Sequence, residues 1–279
     1  MKKLHTAVLL ALALQIPFAM PNEPVEFNCR IEPHVRVDVS SSAEGVVSEV
    51  LVSKNDSVSE GDVLARLEAS LESATVDLRR LQTELTSDVD AQKLSHKFAQ
   101  RNLKRVQDLY DKKAASYAEL DKVKTEYELA AQQLQQAKDR KRQAEMEYKR
   151  ALADLSQKTI TSPIEGVVVE RYKEPGEHIY FEPILQIAQL NPLKVEVFVP
   201  AHFYGKIKLG MNAVVTPELN IARSFYNAKV DQVDKVIDAP SNTFGVSLSI
   251  PNPLLDLPSG LKCKVSFPDV RNQSALLGS

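Results

Sequence analysis

Hydrophobic positions along this chain follow three different rhythms. From Glu68 to Lys158 the sequence is built of Leu, Ala, Gln, Glu, Lys and Arg with neither Gly nor Pro, which predicts helix. In the second half of this stretch Leu120, Val123, Tyr127, Ala130, Leu134, Ala137, Lys141, Ala144, Tyr148, Ala151 and Leu155 alternate at spacings of three and four. That is the heptad seam of a coiled coil, broken only by Lys141. The first half runs Leu71, Ala74, Leu78, Leu81, Leu85 and Val89, then resumes through Gln92, His96, Ala99, Leu103, Val106 and Tyr110, with a four-residue stutter after Leu85. Ser116, with Glu119 three residues on, makes a capping box that opens a new helix. The spacing predicts an antiparallel hairpin of two helices of about 42 residues, roughly 63 Å long, turning near Ala114 and Ala115. Lys141 is expected in a polar layer opposite the stretch from Asp88 to Gln92.

The second rhythm has period two and occurs twice. Ala43-Glu44-Gly45-Val46-Val47 and Ile164-Glu165-Gly166-Val167-Val168 open two similar segments, continued by Val58, Leu64 and Leu67 in one and Ile179, Ile184 and Ile187 in the other, with a one-residue slip. Neither has enough residues to bury a sheet face alone, so the two are expected to pair as halves of one small β-sandwich. The third rhythm follows Pro192: short apolar strands, among them Leu193 to Val199 and Val246 to Ile250, broken by Pro, Asn and Gly at near-regular spacing, which predicts a β-barrel. The fold class is therefore α+β. The expected organisation is 1–20 export signal, 25–34 strand joining the barrel end, 35–67 and 159–190 split sandwich, 68–158 helical hairpin, 191–268 barrel, and 269–279 polar tail.

Charge and composition narrow the function. Thirty-five basic residues against 37 acidic give a formal net charge of −2, which removes the electrostatic pull a nucleic-acid partner requires. Two Cys and five scattered His leave no metal-ligand cluster, and neither a phosphate loop nor a GxSxG elbow occurs, so no cofactor, metal or enzymatic activity is expected. Lys2 and Lys3, the apolar run from Ala7 to Leu14 and the small residues around Ala19 form a secretory signal; an uncleaved anchor ending at Met20 is the alternative. In an oxidising compartment Cys29 and Cys263 are expected to pair; two separately buried cysteines are the other reading.

In combination these features resemble the periplasmic adaptor, or membrane fusion, proteins of the HlyD-like family. The likeness rests on Ala43 to Leu67, including VSEGDVL at Val58 to Leu64, on Thr161 to Ile187 with its Ser162-Pro163-Ile164-Glu165-Gly166, and on Val236-Ile237-Asp238 through Asn252-Pro253 and Ser259-Gly260-Leu261. The run from Cys29 to Pro33 and Leu261-Lys262-Cys263 look like adaptors for pumps of the resistance-nodulation-division class. The resemblance implies a lipoyl-like fold for the split sandwich, a homo-oligomeric funnel, commonly of six copies, and a periplasmic place. There it would join an inner-membrane pump to a TolC-type outer-membrane channel for export of small molecules. An adaptor of an ATP-driven exporter and a non-transport envelope scaffold are the alternatives. Two departures stand out. Lys54-Asn55-Asp56 lacks the Gly the family usually places before the Asp, so Asn55 must take a positive φ or the turn another shape. The membrane-proximal domain of many pump adaptors is expected to be absent or vestigial.

The resemblance also assigns a site. Arg105, Leu109 and Ser116 match the spacing by which hairpin tips of this family engage the channel. Arg105 and Leu109 are i and i+4 on one helix face, each one position before a seam residue, so they flank the seam rather than fill it. A surface arginine, a core-flanking leucine and a simple helix cap are the ordinary roles for the same three residues.

Overall fold

The structure, a computed structural model, describes residues 25–219 and 224–270. The expected signal, 1–20, and residues 271–279 of the tail lie outside the described residues. In chain order the elements are β1 (Glu26–Ser40), β2 (Gly45–Val50), β3 (Ser57–Val58), β4 (Val63–Leu67), α1 (Ser70–Glu84), α2 (Ser87–Asp111), α3 (Tyr117–Ser156), β5 (Thr159–Thr161), β6 (Gly166–Arg171), β7 (His178–Ile179), β8 (Pro183–Pro200), β9 (Asn212–Pro217), β10 (Tyr226–Val233), β11 (Thr243–Ile250) and β12 (Lys262–Ser266). They fall into two compact units, one formed by Val35–Gln189 and the other by the residues on either side of it.

In the Val35–Gln189 unit the two similar segments interleave. β2 pairs with β4 of its own half and with β7 of the other, Gly45 opposite Ile179, while β6 pairs with β8 and with β3, Gly166 opposite Val58. Their apolar positions, including Val47, Leu64, Val168, Ile179 and Ile184, meet in one core. The repeat extends to single hydrogen bonds. The Ser41 hydroxyl donates to the Ala43 carbonyl at 2.5 Å and the Ser162 hydroxyl to the Ile164 carbonyl at 2.6 Å. The Asn55 N–H donates to Val168 as the Gly176 N–H donates to Val47, and Asn55 (φ 74°) matches Gly176 (φ 92°), so the departing turn uses asparagine in left-handed backbone. The one-residue slip falls in the following turn, where Gly61 (φ 89°) and Phe181 (φ 62°) are equivalent. At Gly166 the neighbouring strands β6 and β8 approach so closely that a Cβ would stand 2.6 Å from the Ala188 carbonyl oxygen, which leaves room only for glycine.

The other unit is an antiparallel row in the order β1, β12, β9, β10, β11, β8. β11 alternates strictly between buried and half-buried residues, the signature of a strand with one face on a core. That core includes Phe27, Val195, Val215, Leu248 and Phe267. Cys29 lies directly opposite Cys263 in the β1–β12 ladder, Cα to Cα 4.9 Å, and the two are bonded as a disulfide. The buried Asn252 amide donates to the carbonyls of Leu190 and Leu257 and accepts the Leu257 N–H, tying down the loop after β11.

The helices correct the expected geometry in two respects. The first arm is not one helix of about 42 residues but α1 and α2, separated at Leu85 and Thr86, where Leu85 is extended (ψ 108°). This is where the four-residue stutter falls. α3 continues unbroken for 40 residues, and both shorter helices pack on it. The order of partners, Arg79 with Glu147, Asp88 with Arg140, His96 with Tyr127 and Tyr110 with Tyr117, makes α3 antiparallel to them. Asp88 is thus met by Arg140, the neighbour of Lys141.

The second correction concerns the α1 seam. Leu71, Leu78, Leu81 and Leu85 are all exposed, Leu71 by 75%. The face turned inward is Glu72, Val76, Arg79 and Thr83, one position along. Two ion pairs select that rotation: Arg79 to Glu147 at 2.7 Å and Glu72 to Lys158 at 3.0 Å. Among the described residues no helix is long and apolar enough to cross a membrane.

Candidate partner-docking site at the helical turn

The turn between α2 and α3 is built from backbone rules. α2 ends with Lys113 in left-handed backbone (φ 61°); the Ala114 N–H returns to the Leu109 carbonyl and the Lys113 N–H to the Tyr110 carbonyl, both at 2.8 Å. This doubly bonded ending is the Schellman motif, which ordinarily carries glycine at the left-handed position. α3 starts at Ser116, whose hydroxyl accepts the Glu119 N–H at 3.2 Å, and whose own backbone is extended (φ −83°, ψ 157°).

The three sequence-assigned residues all lie within this terminal stretch. Val106 is buried against α3, whereas Arg105 and Ser116 are exposed and Leu109 keeps 41% of its surface open. Leu109 therefore flanks the packed face and offers an apolar side chain at the edge of the turn, with Arg105 one helical turn behind it. The rings of Tyr110 and Tyr117 meet across the turn with centroids 6.5 Å apart and close the end of the helix pair.

At the opposite end, the root of the helices, is a cluster that pattern reading does not single out. Lys158, 14% exposed, reaches Glu72 at 3.0 Å and donates to the Glu44 carbonyl at 2.9 Å, so one ammonium joins the end of α3, the first turn of α1 and the loop before β2. Burial pushes the Glu72 carboxyl towards its neutral form, but the hydrogen bond and charge of Lys158 outweigh that and hold it below the ordinary glutamate value. The only sequence signal for it is a lysine just before β5 with a glutamate in the first turn of the other arm. Among the described residues no group of His, Cys, Asp or Glu is arranged to hold a metal ion.

An interleaved sandwich interrupted by a helical arm is a diagnostic arrangement, and the sequence matches the CzcB-like, barrel-sandwich hybrid domain over residues 36–188, more than half of the chain. The chain belongs to that family. Relatives of this barrel-sandwich hybrid protein include the pyoverdine export membrane fusion protein PvdR of Pseudomonas putida, 28% identical over 191 residues, covering 67% of this chain and 49% of that one. PvdR of Pseudomonas aeruginosa is 26% identical over 215 residues, with 75% and 55% covered. The chain thus spans about half the length of the curated relatives it matches. Among solved structures, MacA from Actinobacillus actinomycetemcomitans superposes with a TM-score of 0.77 at 24% identity over 90% of this chain and 81% of its own, a likeness of fold.

Proposed function

We propose that this barrel-sandwich hybrid protein is the adaptor of an export assembly, linking an inner-membrane transporter to an outer-membrane channel so that small molecules leave the cell. In this reading residues 35–67 and 159–190 are a lipoyl-like domain and 68–158 its coiled-coil hairpin. The barrel comprises 191–268 with the strand 25–34. The transporter is of the resistance-nodulation-division class, the channel is TolC-like, and several copies, six in the expected funnel, act together in the periplasm. The observation that carries the reading is a helical arm, about 60 Å long in α3, that interrupts an interleaved sandwich and ends in a rigidly capped, solvent-exposed turn. Such an arm reaches a partner at a distance. The names of its relatives, membrane fusion proteins of pyoverdine export, agree with this use.

Arg105, Leu109 and Ser116 are the proposed channel-docking set. Leu109→Asp is expected to abolish export, because it places a charge in a contact that must exclude water. Arg105→Ala is expected to weaken it by loss of charge-assisted hydrogen bonds. Both positions are exposed, so thermal unfolding should stay within about 0.5 kcal/mol of the parent. Export by cells carrying each variant, with cross-linking to the channel and Lys138→Ala as a distant comparison, tests the assignment. Normal export and cross-linking by folded Leu109→Asp protein would remove the site.

A further inference from the structure

Between α2 and α3, just short of their turn, lies a groove of about 720 Å³. Its lining on α3 runs from Tyr117 to Tyr127, about 15 Å of helix. Rings bound it at both ends: Tyr117 meets Tyr110 of α2 with centroids 6.5 Å apart, and Tyr127 meets His96 at 5.0 Å. Leu103 and Leu120, both half-buried, supply apolar lining between them. The volume falls within the range of about 300–1,000 Å³ usual for small-molecule sites. A groove bounded at both ends suits a short molecule and not a helix that runs on past it.

The charged lining is three cations, Arg101, Lys104 and Lys124, and one acid, Asp121. The two ring contacts set the antiparallel register, which puts Lys104 level with Asp121 and Arg101 level with Lys124. Lys104 therefore has an acid across the groove, whereas Arg101 has a second cation. Its own helix adds to the repulsion: Lys97 and Arg105 stand four residues from Arg101 and Lys104 three, the positions at which like charges meet. Asp121, one turn from Lys124, is a single acid among three cations. Among the described residues neither Arg101 nor Lys124 makes an ion pair, so this level of the groove holds uncompensated positive charge beside an apolar surface.

We propose that the groove is a binding site for a small aromatic anion of the aryl carboxylate or sulfonate class. The anionic group sits between the Arg101 guanidinium and the Lys124 ammonium, where it accepts charge-assisted hydrogen bonds and removes the repulsion between them. The rings lie over Leu103 and Leu120 towards Tyr117, which offers a face for stacking. Neither the export role nor the set Arg105, Leu109 and Ser116 enters this inference.

The test titrates the full chain with anilinonaphthalene sulfonate, an aromatic anion that fluoresces when shielded from water, and in parallel with N-phenylnaphthylamine, which has the same rings without the charge. Saturable binding of the anion at one site is expected, about fivefold or more tighter than that of the neutral probe. Arg101→Gln and Lys124→Gln, both at exposed positions, should each weaken the anion about five- to tenfold and leave the neutral probe unchanged. Raising the ionic strength from about 0.1 M to about 1 M, which shortens the screening length from about 10 Å to about 3 Å, should likewise weaken the anion alone. Tyr117→Ser should weaken both probes, and Lys138→Ala neither. Anion binding that survives Arg101→Glu with Lys124→Glu, or a neutral probe bound as tightly as the anion, overturns the proposal. So does the lack of a saturable site in protein of unchanged helicity; if that double variant then lowers cross-linking of the turn to the channel, the groove belongs to an acidic partner surface instead. The adaptor reading stands or falls separately, on export by the Leu109→Asp variant.

Discussion

A lysine in left-handed backbone is a costly choice, because its Cβ crowds the neighbouring carbonyl where glycine has none. Lys113 occupies that position at the end of α2, with the bonds of a glycine-type ending intact around it. Lys113→Gly is therefore expected to raise stability by about 0.5–1 kcal/mol, read as a higher thermal midpoint, with the turn unchanged. At the root, Glu72 titrates below its ordinary value because of Lys158. A carboxylate lowered in the folded state adds stability above its unfolded value of about 4.3, and that contribution is lost as pH falls through the folded value. The gap in thermal midpoint between parent and Glu72→Gln should accordingly be full at neutral pH and disappear in acid. Ser116 and Glu119 were legible as a cap because capping is a local rule of four residues. Lys158 was not, since its partners Glu44 and Glu72 come from elements distant in sequence.

At the scale of elements, the contrast between α3 and α1 shows what periodicity can decide. α3 is continuous, and every seam residue from Leu120 to Leu155, Lys141 included, is buried or half-buried. In α1 the leucines keep heptad spacing yet point outward, because spacing is shared by adjacent stripes while ion pairs to Glu147 and Lys158 choose between them. The break at Leu85 and Thr86 frees α1 to adopt its own rotation. Leu78→Gln should then change stability by less than about 0.5 kcal/mol. Val76→Asp, which buries a charge against α3, should cost 2 kcal/mol or more. Urea unfolding of the two variants side by side measures the difference. Were Leu78→Gln the more damaging, the observed rotation of α1 would be wrong.

Across the whole molecule, the class of each segment was readable from its rhythm, and the interleaving of halves from a short repeat. The pairing that a repeat implies is another matter: nothing in Gly45 or Gly166 announces that β2 seeks β7 and β6 seeks β3. The disulfide likewise follows from the β1–β12 register, which sets Cys29 opposite Cys263 across 234 residues of chain. Closing so long a loop stabilises by up to roughly 5 kcal/mol in the chain-entropy model. Cys29→Ser with Cys263→Ser is expected to lower the unfolding temperature of the barrel unit, and reduction of the parent should reproduce most of that drop. An unaltered midpoint in both would show the bond to be dispensable for stability.

The exchange of strands between the two half-sandwiches governs when this protein can fold. β2 pairs with β4 of its own half but keeps an open edge until β7 exists, and β3 has no neighbour until β6 does, so the early segment stays incompletely paired while α1, α2 and α3 are still being made. Helices are local and form as they emerge; the sandwich waits for β7 and β8. The consequence is an order of assembly: this domain is unable to close before the strands of its second half have been delivered.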